Sequence, residues 1–188
     1  MELRPLFPTP IYWNEIDSQL ADKVEEMFLD RLEKLPRHSI HSSDFHDEKK
    51  IIDIDKDLPD LKEAFYKNIE SFCDMTGISV DPQMKFNAWT QDYCETADYH
   101  PVHKHGIHGV SGIYWIRANE HAGMTVFESP NPYTSIAKRH RETDVTHGLF
   151  ALPPKKGTVV LFPAWLSHAV EPSKPGAIRS TMAFNLCD

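Results

Sequence analysis

From residue 78 onward the chain abandons helical spacing. Val, Ile, Thr, Phe, Tyr and Trp recur with period two, in short runs separated by Pro, Gly and Asn clusters. The runs predict strands near 79–92, 102–117, 123–128, 145–152, 157–162, 167–172 and 177–186. Short strands with no helix between them bury their apolar faces against one another, as an antiparallel sandwich or barrel of the jelly-roll type. Residues 129–146, SPNPYTSIAKRHRETDVT, form the longest insertion, of a length common in lids and binding loops.

The first third reads differently. Leu6 to Trp13 is an extended segment whose Pro8 and Pro10 suit the edge of a sheet. Asp17 can cap a helix from Ser18 to about Leu35, where Leu20, Val24, Met27, Phe28 and Leu32 recur at helical spacing before Pro36 ends it. A polar stretch over 37–57 predicts loop. A second helix is predicted from Leu58 to Met75, with Leu61, Ala64, Phe65, Ile69 and Phe72 on one stripe and Gly77 as its stop. The expectation is one domain over 1–188, mainly β with N-terminal helices (α+β). Residues 1–77 supply a strand and two helices packed on an outer sheet face, and 78–188 supply the jelly-roll core.

The formal net charge of −8 disfavours a nucleic-acid partner, since phosphate binding relies on clustered Lys and Arg. The two short basic runs, Lys138-Arg139-His140-Arg141 and Lys155-Lys156, read as solvated loop. No stretch approaches the roughly 18 uncharged apolar residues of a bilayer span. The opening MELRPLFPTPIYW carries an early acid and three prolines, which predicts neither signal nor transit peptide. Cys73, Cys94 and Cys187 are odd in number and lack a CxxC spacing, which fits a reducing cytoplasm.

The 11 histidines matter more for their placement than their number. Alternate residues of a strand share a face, so His103 and His105 of His100-Pro-Val-His103-Lys-His105-Gly-Ile-His108 project together and suit cis positions on one metal. A third ligand must come from a neighbouring strand. His168, 63 residues after His105 (168 − 105), sits in the apolar run Phe162–Val170. Three imidazoles accept Fe, Zn, Cu or Ni and do not choose among them.

Arg179 follows His168 by 11 residues (179 − 168), about the length of a turn and a return along the next antiparallel strand. A guanidinium inside Ala177-Ile178-Arg179-Ser180-Thr181-Met182-Ala183-Phe184-Asn185 is costly unless it meets an acid. Turned inward, it would grip a carboxylate bidentately, with Thr181, Ala183 and Asn185 on the same face.

Asn87 to Asn185 resembles the 2-oxoglutarate/Fe(II) oxygenase superfamily, in a small uncharacterised subgroup related to prolyl hydroxylases. The phrases that carry the likeness are HPVHKHGIHGVSGIYW (100–115), GTVVLFPAWLSHAVEP (157–172) and IRSTMAFN (178–185), and LFPTPIYW is similar to the subgroup's start. The resemblance implies a double-stranded β-helix, a cupin-like jelly roll, with Fe(II) and 2-oxoglutarate as cosubstrate. It implies His103 and His168 as the family histidines and Arg179 as the residue on the distal carboxylate. Tyr93 resembles a pocket tyrosine of the hydroxylase branch, and Tyr114 and Asn185 are further cosubstrate candidates. Where the superfamily commonly has Asp or Glu, this chain has His105, which raises the charge of the metal site by one unit. Asp98 and Glu128 are carboxylates that could serve instead, at less suitable spacing.

The implied reaction is oxidative decarboxylation of 2-oxoglutarate coupled to hydroxylation of a small-molecule or peptidyl substrate. Val159, Leu161 and Trp115 are expected to form an apolar wall, and His100, His108 and His147 to stand behind the ligands. The 129–146 loop with Tyr133 and the 37–50 loop would gate the site. Two other readings stay open: a three-His cupin enzyme that uses no 2-oxoglutarate, and a binding barrel without activity. A homodimer is left open.

Overall fold

The computed structural model describes residues 8–81, 83–131 and 148–187. Among these residues, ten strands form two antiparallel sheets. The larger runs β1 (Tyr12–Glu15), β8 (Thr158–Pro163), β5 (Gly109–Ala118), β10 (Arg179–Cys187), β3 (Lys85–Asp92), β2 (Ser42–Ser43) in spatial order. The smaller runs β4 (His100–His103), β9 (His168–Val170), β6 (Thr125–Glu128), β7 (Leu149–Leu152).

The expected helices are present. Asp17 caps α1 (Ser18–Arg31) by accepting from the main-chain N–H groups of Gln19 and Leu20, both at 3.1 Å. A 3₁₀ turn over Leu32–Lys34 carries the chain to Pro36. α3 (Pro59–Thr76) begins on a proline that is preset for a first helical position, and ends at Gly77 in the left-handed conformation. The polar 37–57 stretch is not all loop: β2 and the short helix α2 (Ile54–Asp57) lie within it.

The larger sheet is buried on both faces. Val110, Tyr114, Ile116, Val159, Leu161, Met182, Phe184 and Leu186 meet Val24 and Phe28 of α1 and Leu61, Phe65, Ile69 and Phe72 of α3. Phe65 stacks on Phe184 with ring centroids 4.3 Å apart, a contact worth about 0.5–1.5 kcal/mol beyond area burial. Ile113, Trp115, Val160 and Phe162 face the smaller sheet, against Phe127 and Leu166. The expected wall is therefore corrected by one residue: Val159 and Leu161 face the helices, and Val160 and Phe162 line the interior with Trp115.

The strand expected over 102–117 is two strands in different sheets. β4 ends at His103, and the chain crosses to β5 through residues 104–108. Gly109 enables the crossing. Its φ is +101°, and a Cβ there would lie 2.2 Å from the carbonyl oxygen of Leu186. The alternation within 102–117 does not reveal this, because the change of sheet is made in the five residues 104–108, by a positive-φ glycine and long-range main-chain bonds.

Candidate metal centre

The ring nitrogens of His103, His105 and His168 lie within 4.8 Å of one another. His103 and His168 are direct cross-strand partners between β4 and β9, with ring centroids 4.3 Å apart. His105 arrives by another route. It stands beyond the end of β4, so strand alternation does not place it. Its main-chain N–H donates to the carbonyl of Ala164 at 3.0 Å, and the Ala164 N–H donates to the carbonyl of Gly109 at 3.1 Å. These bonds tie the 104–108 crossing to the turn that leads into His168, and bring the His105 ring within 5.2 Å of both partners. Among the described residues, no carboxylate joins the group. Asp98 is committed elsewhere, in a two-bond ion pair with Arg37 at 2.7 and 2.9 Å.

The rings are oriented. His103 Nδ1 lies 2.8 Å from the carbonyl of Pro101, and His168 Nδ1 lies 2.9 Å from that of Leu166. An imidazole that donates from Nδ1 keeps its Nε2 lone pair for a metal. His105 Nδ1 faces the Asn185 side-chain amide at 3.2 Å, and the Asn185 Oδ1 accepts from Ser111 Oγ at 2.8 Å. Burial, helped by the neighbouring imidazoles, lowers the pKa of His105 to about 4 and of His168 to about 3. Burial lowers His103 as well. All three rings are thus held in the neutral form that binds metal.

Arg179 faces the interior and is 1% exposed. Nε donates to the Gly123 carbonyl at 3.1 Å and Nη2 to Thr125 Oγ1 at 2.9 Å. The guanidinium carbon sits 4.8 Å from the centre of the Tyr93 ring. Burial lowers its pKa to about 10, so it stays charged at neutral pH. Among the described residues no carboxylate pairs with it. A buried cation with no counter-ion costs several kcal/mol, which an incoming anion recovers. Thr125 also relates the guanidinium to the histidines. It shares the inner face of β6 with Phe127, the cross-strand partner of His168, about 7 Å away along the strand.

Tyr93 is 1% exposed, and burial raises its phenol well above the ordinary value, so it remains a neutral O–H. That hydroxyl lies 3.2 Å from His100 Nδ1. Among the described residues, the buried Trp115 Nε1 has no hydrogen-bond partner. Trp115 is in register with Thr181, two residues along the inner face of β10 from Arg179. An indole donor and a guanidinium on one interior wall, neither with an acidic partner among the described residues, fit an oxygen-rich anion.

Tyr114 is not brought to the site. Its ring packs against Phe65 on the helix-facing side, centroids 5.6 Å apart, because one residue along a strand changes the face. Asn185 lies at the site, bonded to His105 and Ser111. Sequence reasoning missed His41. Its ring stacks on Tyr93 at 4.7 Å and on His100 at 4.9 Å, and His100 stacks on His103 at 4.1 Å. The dense histidines of His38-Ser-Ile-His41 were the available signal. Within the 37–50 stretch, residues 41–44 are tied to the larger sheet: β2 pairs with β3, and buried Asp44 accepts from the N–H of Thr90 at 2.8 Å. The 129–146 loop with Tyr133, the basic run at 138–141 and His147 lie mainly or wholly outside the described residues.

A family profile described as "Putative 2OG-Fe(II) oxygenase" matches residues 87–185, just over half of the chain. The chain belongs to the 2OG-Fe(II) oxygenase family. It is thereby a 2-oxoglutarate-dependent oxygenase that uses Fe(II). The two open alternatives, a cupin enzyme indifferent to 2-oxoglutarate and an inactive barrel, are not favoured. A comparison with curated proteins gives no match.

Solved structures carry the same fold. A prolyl-4-hydroxylase from Pseudomonas putida superposes with a TM-score of 0.64 at 13% identity, over 96% of this chain and 94% of that one. A Trichoplax adhaerens prolyl hydroxylase, in complex with a hypoxia inducible factor peptide fragment, gives 0.60 at 12%, over 94% and 82%. EctD from S. alaskensis, with 2-oxoglutarate and 5-hydroxyectoine, gives 0.62 at 12%, over 94% and 72%. The oxygenase thus has the double-stranded β-helix of its family. No described helix is long and apolar enough to cross a membrane.

Proposed function

We propose that the protein couples oxidative decarboxylation of 2-oxoglutarate to hydroxylation of a small-molecule or peptidyl substrate, with iron on His103, His105 and His168 and the distal carboxylate on Arg179. Arg179, buried and without a carboxylate partner among the described residues, carries this reading. Its Thr125 anchor stands about 7 Å along β6 from the partner of His168, a span that a five-carbon diacid bridges.

When bound, iron and 2-oxoglutarate supply the oxidising chemistry, which no side chain provides. The protein orients and shields. Arg179 sets the register of the diacid through a fork fixed by Gly123 and Thr125. Tyr93 and Trp115 offer neutral donors near the same carboxylate end. The carbonyls of Pro101 and Leu166 hold two imidazoles with Nε2 free. Phe127, Val160, Phe162 and Leu166 keep bulk water from the metal side. Three neutral ligands leave the full divalent charge at the metal, which strengthens its hold on a dianion. Among the described residues Cys73, Cys94 and Cys187 form no disulfide, which supports a reducing compartment such as the cytoplasm.

Anaerobic titration with Fe(II) and then 2-oxoglutarate tests this. A weak visible charge-transfer band is expected, together with slow succinate release in air. A protein that is iron-loaded yet colourless and releases no succinate overturns the proposal.

A further inference from the structure

We propose that Asn185, backed by Ser111, is a positioning residue that selects the metal-binding tautomer of His105. This rests on the three-His reading above and deepens it. A neutral imidazole that binds metal through Nε2 carries its proton on Nδ1 and needs an acceptor there. His103 and His168 each have a main-chain carbonyl at Nδ1, at 2.8 and 2.9 Å. A carbonyl only accepts, so both rings are locked in the competent tautomer.

His105 differs. Its Nδ1 meets a side-chain amide, whose oxygen and nitrogen exchange places on a half-turn. With Nδ2 toward the ring, Nδ1 accepts and the proton sits on Nε2, where it blocks a metal. With Oδ1 toward the ring, Nδ1 donates and Nε2 is free. Ser111 makes both states affordable. Its hydroxyl, 1% exposed, donates to Oδ1 at 2.8 Å in the first state and accepts from Nδ2 in the second. The amide therefore has a partner either way, and metal binding turns it. The conditional ligand is His105, which stands where a carboxylate would need no tautomer.

The test uses the full chain loaded with Zn(II), with ¹⁵N-labelled histidine. Long-range ¹H–¹⁵N correlation spectra read the tautomer of each ring, and competition with a chelator gives zinc affinity. In the wild type, His105 is expected to show the pattern of His103 and His168: protonated Nδ1, metal-shifted Nε2. Asn185→Leu should change the His105 pattern alone and weaken zinc binding about 10- to 100-fold. Asn185→Asp, a permanent acceptor, should restore the pattern with affinity at or above that of the wild type. Wild-type affinity and an unchanged His105 pattern in Asn185→Leu overturn the inference. If that variant does not fold, Asn185→Asp decides: zinc binding weaker than wild type overturns it, and equal or tighter binding supports it. A wild type in which His105 stays unligated overturns the three-His reading, and this inference with it.

Discussion

His103 and His168 face each other directly across the β4–β9 pair, their ring centroids 4.3 Å apart. The cross-strand register therefore sets the spacing of these two proposed ligands, and hinge or loop motion is not required to assemble them. Replacing either ring leaves two nitrogens at the site. His168→Ala is expected to weaken Co(II) or Zn(II) binding by more than about 100-fold, beyond the 10- to 100-fold typical of losing an orienting partner. A direct metal titration checks this, and retention of near-wild-type affinity would contradict the three-His site.

Arg179 should separate cosubstrate binding from metal binding. Arg179→Ala removes the buried cation proposed to hold the distal carboxylate. Its expected cost is about 2–4 kcal/mol toward 2-oxoglutarate, roughly 30- to 1000-fold in KM. Metal affinity should change little. Succinate release against 2-oxoglutarate concentration gives the first quantity and a zinc titration the second. Equal KM in variant and wild type would remove Arg179 from the cosubstrate site.

Gly123 links the fold to that cation. Its carbonyl accepts from Arg179 Nε, and a Cβ at this position would lie 2.0 Å from the carbonyl oxygen of Glu171. Backbone must move to admit Ala. Gly123→Ala should destabilise by about 1–3 kcal/mol and raise the KM for 2-oxoglutarate at the same time. Urea midpoints and kinetics together check it. A variant of lowered stability but normal KM would show that Arg179 does not depend on this anchor.

The metal-free protein should lose stability on mild acidification. Burial holds His41 at about 4, His105 at about 4, His168 at about 3 and His100 at about 2. Unfolded histidine titrates near 6.5. As pH falls below about 6.5, the unfolded chain takes up protons that the folded chain refuses, so stability drops toward the folded values. Each such ring contributes a slope of up to about 1.4 kcal/mol per pH unit. Denaturant midpoints at pH 7.5, 6.0 and 5.0 should fall in order. A flat profile would mean that these rings are not buried as neutral groups.

The pattern of short strands after residue 78, the two amphipathic helices and the caps at Asp17 and Gly77 were legible in the chain itself. Period and capping are local properties, written within a few residues of where they act. His103, His168 and Arg179 were legible as candidates, because a cation or a histidine pair within apolar strands demands a partner, and the structure turns all three inward. Errors came where one residue decides a face. Val159, Leu161 and Tyr114 turned to the helices, since strand parity has no anchor in the sequence until a register is fixed.

Long-range pairing decided the rest. His105 owes its place to a main-chain bond with Ala164, not to alternation along a strand. His41 reaches Tyr93 and His100 because β2 pairs with β3, far along the chain. Sequence by itself determined which chemistry the chain can carry, since residue type fixes charge and ligand character. Only the tertiary structure decided which of those groups meet, because convergence depends on register and crossing between strands, and these are settled by packing the whole sandwich.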